Sequence, residues 1–136
     1  MKIYFAGSIR GGREDKHIYG DITKLLSFYG RVLTEHVADR NLTERGEDRE
    51  SSTIYTRDMA WLHEADKVIA EVTTPSLGVG YEVAKAEELH KPMLCIYRPS
   101  ADKKLSAMIS GNKSLMNKEY HTVEDLKTIF QEFFRT

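Results

Sequence analysis

Short apolar runs alternate with helical patterns along this chain. Five segments are predicted as strands, the last more weakly than the others: Lys2–Ala6, Arg31–Val37, Lys67–Val72, Pro92–Tyr97 and Asn117–His121. Between them, apolar residues recur every three or four positions, which predicts helices over about 18–29, from Ser51 or Ser52 to Ala65, over 78–90, near 105–109 and over 123–133. Strands that alternate with helices form right-handed β-α-β units. The sequence therefore predicts an α/β fold: a doubly wound, Rossmann-like, five-stranded parallel sheet in the flavodoxin-like order 2-1-3-4-5.

The polar positions add a loop and limit the class of protein. The chain has 136 residues, a length that suits one core, so residues 1–136 are expected to form a single domain. Asp39–Ser52 is polar apart from Leu42, which predicts a mobile surface loop. The 20 Lys and Arg balance 21 Asp and Glu, leaving a net charge of −1, whereas a general nucleic-acid binder would carry a basic surplus.

The composition also indicates a compartment and argues against cofactors. No apolar run approaches the ~20 residues that cross a bilayer, and the N-terminal stretch does not have the pattern of a signal peptide. The single cysteine, Cys95, cannot form an internal disulfide and is expected to be a buried, inert thiol. The five histidines show no metal-ligand spacing. We therefore expect a cytoplasmic protein, with the nucleus as an open alternative, and neither a metal nor a cofactor.

Two loops are placed to bind a ligand, because ligands of such sheets lie beyond the carboxyl ends of strands 1 and 3. The first loop, Gly7–Arg13, is rich in glycine, and a helix N-terminus follows it. Its backbone N–H groups, the Ser8 hydroxyl and the guanidinium groups of Arg10 and Arg13 suit a phosphate. Its spacing is that of neither a P-loop nor a dinucleotide fingerprint. A plain turn with two solvated arginines is the alternative interpretation.

The second loop, Thr73–Gly80, leads into a helix that carries an acid on its apolar face. Gly78 and Gly80 match only part of a dinucleotide fingerprint, and Ser76 either caps the helix or binds an anion. Glu82 shares a face with apolar residues three, four and seven positions away, and it lies in the first turn, where the helix dipole favours an ionised carboxylate. Such an acid suits a nucleophile or an electrostatic stabiliser; a solvated glutamate is the alternative.

Asp58 repeats this pattern on the preceding helix. Ile54, Trp61 and Ala65 lie on its face, so a second carboxylate interrupts an apolar stripe. Its neighbour Arg57 is expected to pair with a neighbouring acid on the exposed side and to have no catalytic part. Two inward carboxylates on different helices are typical of a site that cleaves a glycosidic bond.

These motifs resemble a known family. YFAGSIRGGRED (4–15), LTEHVAD (33–39), AEVTTPSLGVGYE (70–82) and LSAMI (105–109) are similar to the 2'-deoxynucleoside 5'-phosphate N-hydrolases of the nucleoside 2-deoxyribosyltransferase-like superfamily. The resemblance implies hydrolysis of the N-glycosidic bond of 2'-deoxynucleoside 5'-monophosphates to 2-deoxyribose 5-phosphate and free base. It covers residues 4 to about 109.

The resemblance also implies roles for individual residues. It makes Glu82 the nucleophile that forms a glycosyl-enzyme, Asp58 an acid/base or a positioning group, and Tyr4 a neighbour of the sugar, where its hydroxyl would crowd a ribose 2'-OH. The residues expected to bind the phosphate or the rest of the substrate are Gly7, Ser8, Ile9, Arg10, Gly11, Gly12, Arg13, Ser76, Gly78, Ser106 and Met108. Ser106 and Met108 are expected to come from the partner subunit of a homodimer.

Three other functions remain open on the sequence alone. A nucleoside 2-deoxyribosyltransferase would use the same carboxylates but pass the sugar to a second base. A ribonucleotide N-hydrolase acting on CMP would differ in sugar preference. A non-catalytic nucleotide sensor is disfavoured, because a pure binder has no need of two desolvated acids. The base preference is not indicated by any residue.

Overall fold

A computed structural model of the protein describes residues 1–8, 16–34, 47, 49–102 and 104–135. Its strands are β1 (Lys2–Ala6), β2 (Arg31–Val32), β3 (Lys67–Glu71), β4 (Met93–Tyr97) and β5 (Met116–Glu119). Its helices are α1 (Lys16–Leu26), α2 (Ser51–Glu64), α3 (Leu77–Glu88), α4 (Ala107–Ser110) and α5 (Val123–Arg135). The predicted alternation of strands and helices is therefore confirmed over these residues.

All five strands are parallel and lie in the order β2-β1-β3-β4-β5, as the sequence predicts. All five residues of the central strand β3 are buried, because helices cover both faces of the sheet. One face packs against α1 and α5 through residues such as Ile22 and Phe130. The other packs against α2 and α3 through Leu62 and Val83. Tyr4 of β1 points to this second face, which is the face of the two candidate acids.

The second strand is shorter than the sequence predicts. Residues 31–37 are an apolar-rich segment, but β2 ends at Val32, and Leu33 and Thr34 form a turn in which the Thr34 hydroxyl bonds the backbone of Phe5. That side chain takes over part of the hydrogen bonding that a longer strand would have made with β1. The remainder of the predicted strand and most of the predicted loop 39–52 lie outside the described residues.

Two predicted helix boundaries are also wrong. The first helix ends at Leu26, not near Tyr29, and a turn leads to Gly30. A Cβ on Gly30 would lie 2.4 Å from the carbonyl oxygen of Met1, so the chain passes β1 too closely for any other residue. Neither Ser51 nor Ser52 caps α2, because Glu50 occupies the N-cap position without a side-chain bond. None of the helices in the described segments has the length and the apolar character that crossing a lipid bilayer requires.

Candidate active site

A cavity of about 1010 Å³ lies beyond the carboxyl ends of β1 and β3, next to the start of α3. This is the switch point of the sheet, the place that the sequence predicts for a ligand. Many of the predicted site residues line this cavity together: Gly7, Asp58, Ser76, Gly78, Glu82, Ser106 and Met108. The volume lies at the upper end of the range for small-molecule sites. The structure therefore brings both candidate carboxylates and parts of both predicted loops to one space.

Glu82 is positioned by a capped helix and by a tyrosine from the sheet. Ser76 is the N-cap of α3, and its side chain accepts a hydrogen bond of 3.2 Å from the backbone N–H of Val79, which confirms its predicted capping role. One turn further on, the Glu82 carboxylate accepts a hydrogen bond from the hydroxyl of Tyr4. Tyr4 has no exposed surface and lies in the core beneath α3, so it is a fixed donor to Glu82. Glu82 therefore faces the sheet and the cavity, not bulk solvent.

The protonation of Glu82 differs from the ionised state that its helix position predicts. Burial raises the pKa of Glu82 from its ordinary value of 4.5 to about 8. The hydrogen bond from Tyr4 acts in the opposite direction, and the negative charge of Asp58 raises the pKa further. Desolvation outweighs the helix dipole because the carboxylate is surrounded by protein even though the residue as a whole is only half-buried. Glu82 therefore favours its protonated form at neutral pH.

Tyr4 remains a hydrogen-bond donor throughout the ordinary pH range. Burial raises the pKa of its phenol far above the usual value, and the charges of Glu82 and Asp58 act in the same direction. A phenol in this setting keeps its proton. Tyr4 can therefore orient the Glu82 carboxylate but does not act as a base.

Asp58 lies on the cavity face of α2, one turn after Ile54, which lines the same space. Its Oδ1 accepts hydrogen bonds from the Nε and Nη2 atoms of Arg57, at 3.0 and 2.9 Å. The same guanidinium binds both carboxylate oxygens of Glu47, at 2.7 and 2.6 Å. Arg57 therefore pairs with a neighbouring acid, as predicted, but its two partners line the cavity and do not lie on the exposed side.

Glu47 is a cavity residue that the sequence does not identify. It falls within the predicted loop 39–52, where its polar neighbours gave no sign that it approaches the site. Its ion pair with Arg57, ten positions along the chain, and its place in the cavity lining show that it belongs to the site. The fully buried acid Glu71, at the end of β3, was also not singled out by the sequence. It accepts hydrogen bonds from the Tyr120 hydroxyl and, at 2.7 Å, from the Thr73 backbone.

The predicted phosphate loop is described only at its start. Ser8 is fully buried, and its backbone N–H donates to the hydroxyl of Tyr19 at 2.9 Å. No described residue offers a hydrogen-bond partner to its side-chain oxygen. The predicted site residues 9–13 of this loop lie outside the described residues.

Ser106 and Met108 line the cavity from a later segment of the chain, at the start of α4. Ser106 is the N-cap of the short helix α4 and accepts a hydrogen bond of 3.2 Å from the backbone of Met108. Met108 is 81% exposed. Both residues line the cavity of their own chain, although the sequence predicts them as part of a neighbour's site.

Cys95 has no role in this cavity. It is fully buried in β4, and burial raises the pKa of its thiol to about 12. A thiol that keeps its proton is a poor nucleophile. The expectation of a buried thiol is confirmed.

The fold and this pair of carboxylates define an α/β protein with a ligand cavity at the switch point of its sheet. Comparison with known proteins identifies the family. The nucleoside 2-deoxyribosyltransferase family matches residues 3–127. A Danio rerio protein named 5-hydroxymethyl-dUMP N-hydrolase is 48% identical over 139 aligned residues, which cover 100% of this chain and 97% of that protein. A Mus musculus protein of the same name is 49% identical over 136 aligned residues, which cover 97% of this chain and 79% of that protein.

Solved structures support the same fold at lower identity. A CMP N-glycosidase from Clostridium botulinum has a TM-score of 0.69 at 15% identity, covering 96% of this chain and 99% of that one. A 2-deoxyribosyltransferase from Bacillus psychrosaccharolyticus has a TM-score of 0.67 at 17% identity, covering 93% and 90%. This chain belongs to the nucleoside 2-deoxyribosyltransferase family.

Proposed function

We propose that this protein hydrolyses the N-glycosidic bond of 2'-deoxynucleoside 5'-monophosphates to give 2-deoxyribose 5-phosphate and a free base. The observation that carries the proposal is the Tyr4–Glu82 pair, which faces Asp58 across one cavity at the switch point of the sheet. The relatives from Danio rerio and Mus musculus are named for hydrolysis of a deoxynucleotide, and these names support this substrate class. Membership of the nucleoside 2-deoxyribosyltransferase family supports the N-glycosidic bond as the bond that is cleaved.

Glu82 is the proposed nucleophile. Its ionised carboxylate attacks the anomeric carbon, a C–O bond forms, and the electron pair of the C–N bond leaves with the base, which takes up a proton. Water then attacks the same carbon and gives up a proton, which balances the proton taken up by the base; the bond to Glu82 breaks, its electron pair returns to the carboxylate, and the sugar phosphate is released. Burial makes the Glu82 carboxylate costly to ionise before the reaction. The transition state carries positive charge on the sugar, and this charge stabilises the ionised carboxylate beside it. Tyr4 holds the attacking carboxylate in place.

The 5'-phosphate is proposed to bind between the end of β1 and the start of α3. Ser76 and Gly78 line the cavity at the N-terminus of α3, where backbone N–H groups and the helix dipole favour an anion. Gly7 lines it at the end of β1, and the buried hydroxyl of Ser8 follows. The remaining proposed ligands of this loop are Ile9, Arg10, Gly11, Gly12 and Arg13. Holding the phosphate far from the reacting carbon orients the sugar.

The reaction and its nucleophile can be tested together. Each of the four 2'-deoxynucleoside 5'-monophosphates is incubated with the wild type, with Glu82→Ala and with Glu88→Gln, and the free base is measured by HPLC. Glu88 is an exposed acid on the same helix, paired with Lys85, so its variant is a matched control that should keep the wild-type rate. Glu82→Ala should lose about 10³-fold or more of the rate. Full activity in Glu82→Ala would rule out this nucleophile.

Tyr4 is proposed to select deoxyribose over ribose by crowding a 2'-OH. Its hydroxyl lies at the Glu82 carboxylate, next to the position required for the anomeric carbon. Comparing dCMP with CMP in the wild type and in Tyr4→Phe tests this, because removal of the hydroxyl should improve the relative kcat/KM for CMP. An unchanged ratio would reject the selection role while leaving the hydrolysis itself intact. A wild type that prefers CMP would favour a ribonucleotide hydrolase.

The transferase alternative is tested by a second base. The family as a whole is described as nucleoside 2-deoxyribosyltransferase, so a competing free base is added to the assay with a deoxynucleotide and with the corresponding deoxynucleoside. If the protein is a hydrolase, we expect free sugar phosphate and no nucleoside or nucleotide that carries the added base. A base-swapped nucleoside would replace the hydrolase proposal by a transferase. Nucleotide binding without turnover, unaffected by Glu82→Gln, would indicate a sensor.

A homodimer in which Ser106 and Met108 complete the neighbour's site is also proposed. Large apolar side chains beside the cavity are exposed, including Leu77 at 97% and Met108 at 81%. Mixing Glu82→Ala with Ser106→Ala, each nearly inactive alone, should restore activity, since one of the two sites then has both native residues. No restoration would show that Ser106 serves its own chain.

We further propose that residues 1–136 form one domain and that the protein acts in the cytoplasm, with the nucleus as the alternative. Limited proteolysis tests the first point, because a single domain should yield no stable internal fragment. Imaging of a tagged protein tests the second.

A further inference from the structure

The guanidinium of Arg57 makes an unusual contact for a helix. Adjacent residues on an α-helix point about 100° apart, so their side chains do not normally face each other. Arg57 nevertheless turns back to its neighbour and donates two hydrogen bonds to one oxygen of Asp58, at 3.0 and 2.9 Å. Something outside this pair must hold the side chain in that conformation.

Contacts with two described residues, Glu47 and Trp61, help to hold it there. Glu47 accepts one hydrogen bond on each carboxylate oxygen, at 2.7 and 2.6 Å, in the fork geometry that suits arginine. On the same helix, Trp61 lies under the guanidinium, 4.8 Å from ring centroid to the guanidinium carbon. The side chains of Arg57, Glu47 and Asp58 are only 20%, 12% and 22% exposed, so solvent screens these charges less than at an open surface.

We propose that Arg57 is a positioning residue for Asp58: it fixes the direction in which the Asp58 carboxylate faces the cavity, and Glu47 anchors Arg57 from the other side. Rotation of the carboxylate would break both bonds to Oδ1 at once, so the orientation is held by the pair. The positive guanidinium also offsets the charge of an acid in a cavity whose proposed substrate carries a phosphate. The kinetic part of this inference rests on the proposed function.

A double-mutant cycle tests whether Arg57 acts through Asp58. The variants are Arg57→Gln, Asp58→Asn and both together, measured for kcat and KM on the best deoxynucleotide. We expect Arg57→Gln to lower kcat about 10-fold with a smaller change in KM, and to add less than about twofold in the Asp58→Asn background. A purely structural arginine would lower activity equally in both backgrounds, and that result would overturn the proposal.

Conservative and control variants sharpen the result. Arg57→Lys keeps the charge but loses the fork, so it should recover only part of the kcat. Glu47→Gln should shift kcat in the same direction as Arg57→Gln, because it removes the anchor. Lys85→Gln breaks an exposed pair with Glu88 on α3 and should leave kcat unchanged. Full activity in Arg57→Gln would overturn the proposal.

Unfolding in urea separates this inference from the proposed function. The same four proteins give the coupling between Arg57 and Asp58 whether or not the wild type turns over nucleotides. We expect the unfolding equilibrium constants to deviate from additivity by at least about threefold. Additive effects would overturn the contact itself. An inactive wild type with clear coupling would reject the proposed function, and the kinetic role of Arg57 with it.

Discussion

Replacing Glu82 by Gln should change how stability depends on pH. Glutamine keeps the size of the side chain and can still accept the hydrogen bond from Tyr4, but it does not ionise. In the wild type, burial raises the pKa of Glu82 from 4.5 to about 8. A group whose pKa is raised by folding stabilises the folded state below the unfolded pKa, and this contribution is lost as the pH rises through the folded value.

The size of this effect follows from the shift. Each pKa unit corresponds to about 1.4 kcal/mol, so between pH 5.5 and pH 9 the wild type should lose about 3 kcal/mol relative to Glu82→Gln. Most of this difference should develop below pH 8, and the two proteins should run parallel above it. Water that enters the cavity would reduce the difference, so this value is an upper estimate.

Urea unfolding at fixed protein concentration across this pH range measures the effect. With a slope of about 2 kcal/mol per molar urea, the midpoint of the wild type should fall by roughly 1.5 M relative to the variant. All other titrating groups are common to both proteins and cancel in the comparison. Glu88→Gln, which changes an exposed acid on the same helix, should follow the wild type throughout. Parallel curves for the wild type and Glu82→Gln would show that Glu82 is solvated, and would remove the basis for its proposed role.

Three further results are expected. The kcat/KM of the wild type should rise with pH and level off near the Glu82 pKa of about 8. Tyr4→Phe should move this profile to higher pH, because it removes a hydrogen bond that lowers the pKa of Glu82. A shift of the profile to lower pH would contradict this. Ser76→Ala should lose about 1 kcal/mol of stability with the cap of α3 and should raise KM for a nucleotide more than for its nucleoside; equal increases would place the phosphate elsewhere. Tyr120→Phe removes a donor from the buried carboxylate of Glu71 and should lower the free energy of unfolding by about 1–3 kcal/mol in urea titrations; a loss below about 0.5 kcal/mol would contradict the contact.

Most of the fold was predictable because its signals are local. The fully buried run of β3 and the stripe of Leu126, Phe130 and Phe133 on α5 are read from spacing alone. The boundary errors have causes that lie elsewhere in the chain. The second strand ends early where Thr34 bonds to Phe5, 29 positions away, and the first helix ends before a close approach to Met1.

The candidate acids were predictable for the same reason, since a carboxylate within an apolar stripe is visible in a sequence of letters. The protonation state of these acids was not predictable from the sequence. The helix position of Glu82 indicates an ionised group, whereas the burial that raises its pKa comes from elements that meet only in the folded chain.

The sequence by itself determined the alternation of strands and helices and the two helices that carry Glu82 and Asp58, because hydrophobic spacing follows from near neighbours. The order of the sheet and the place of the ligand cavity then followed from the general rules for doubly wound parallel sheets. Only the tertiary structure decided how these acids are partnered. Tyr4 meets Glu82 across 78 positions, and Glu47 reaches Arg57 from a segment whose letters give no sign of it. Desolvation and charge pairing depend on distances in space, and spacing along the chain does not encode those distances.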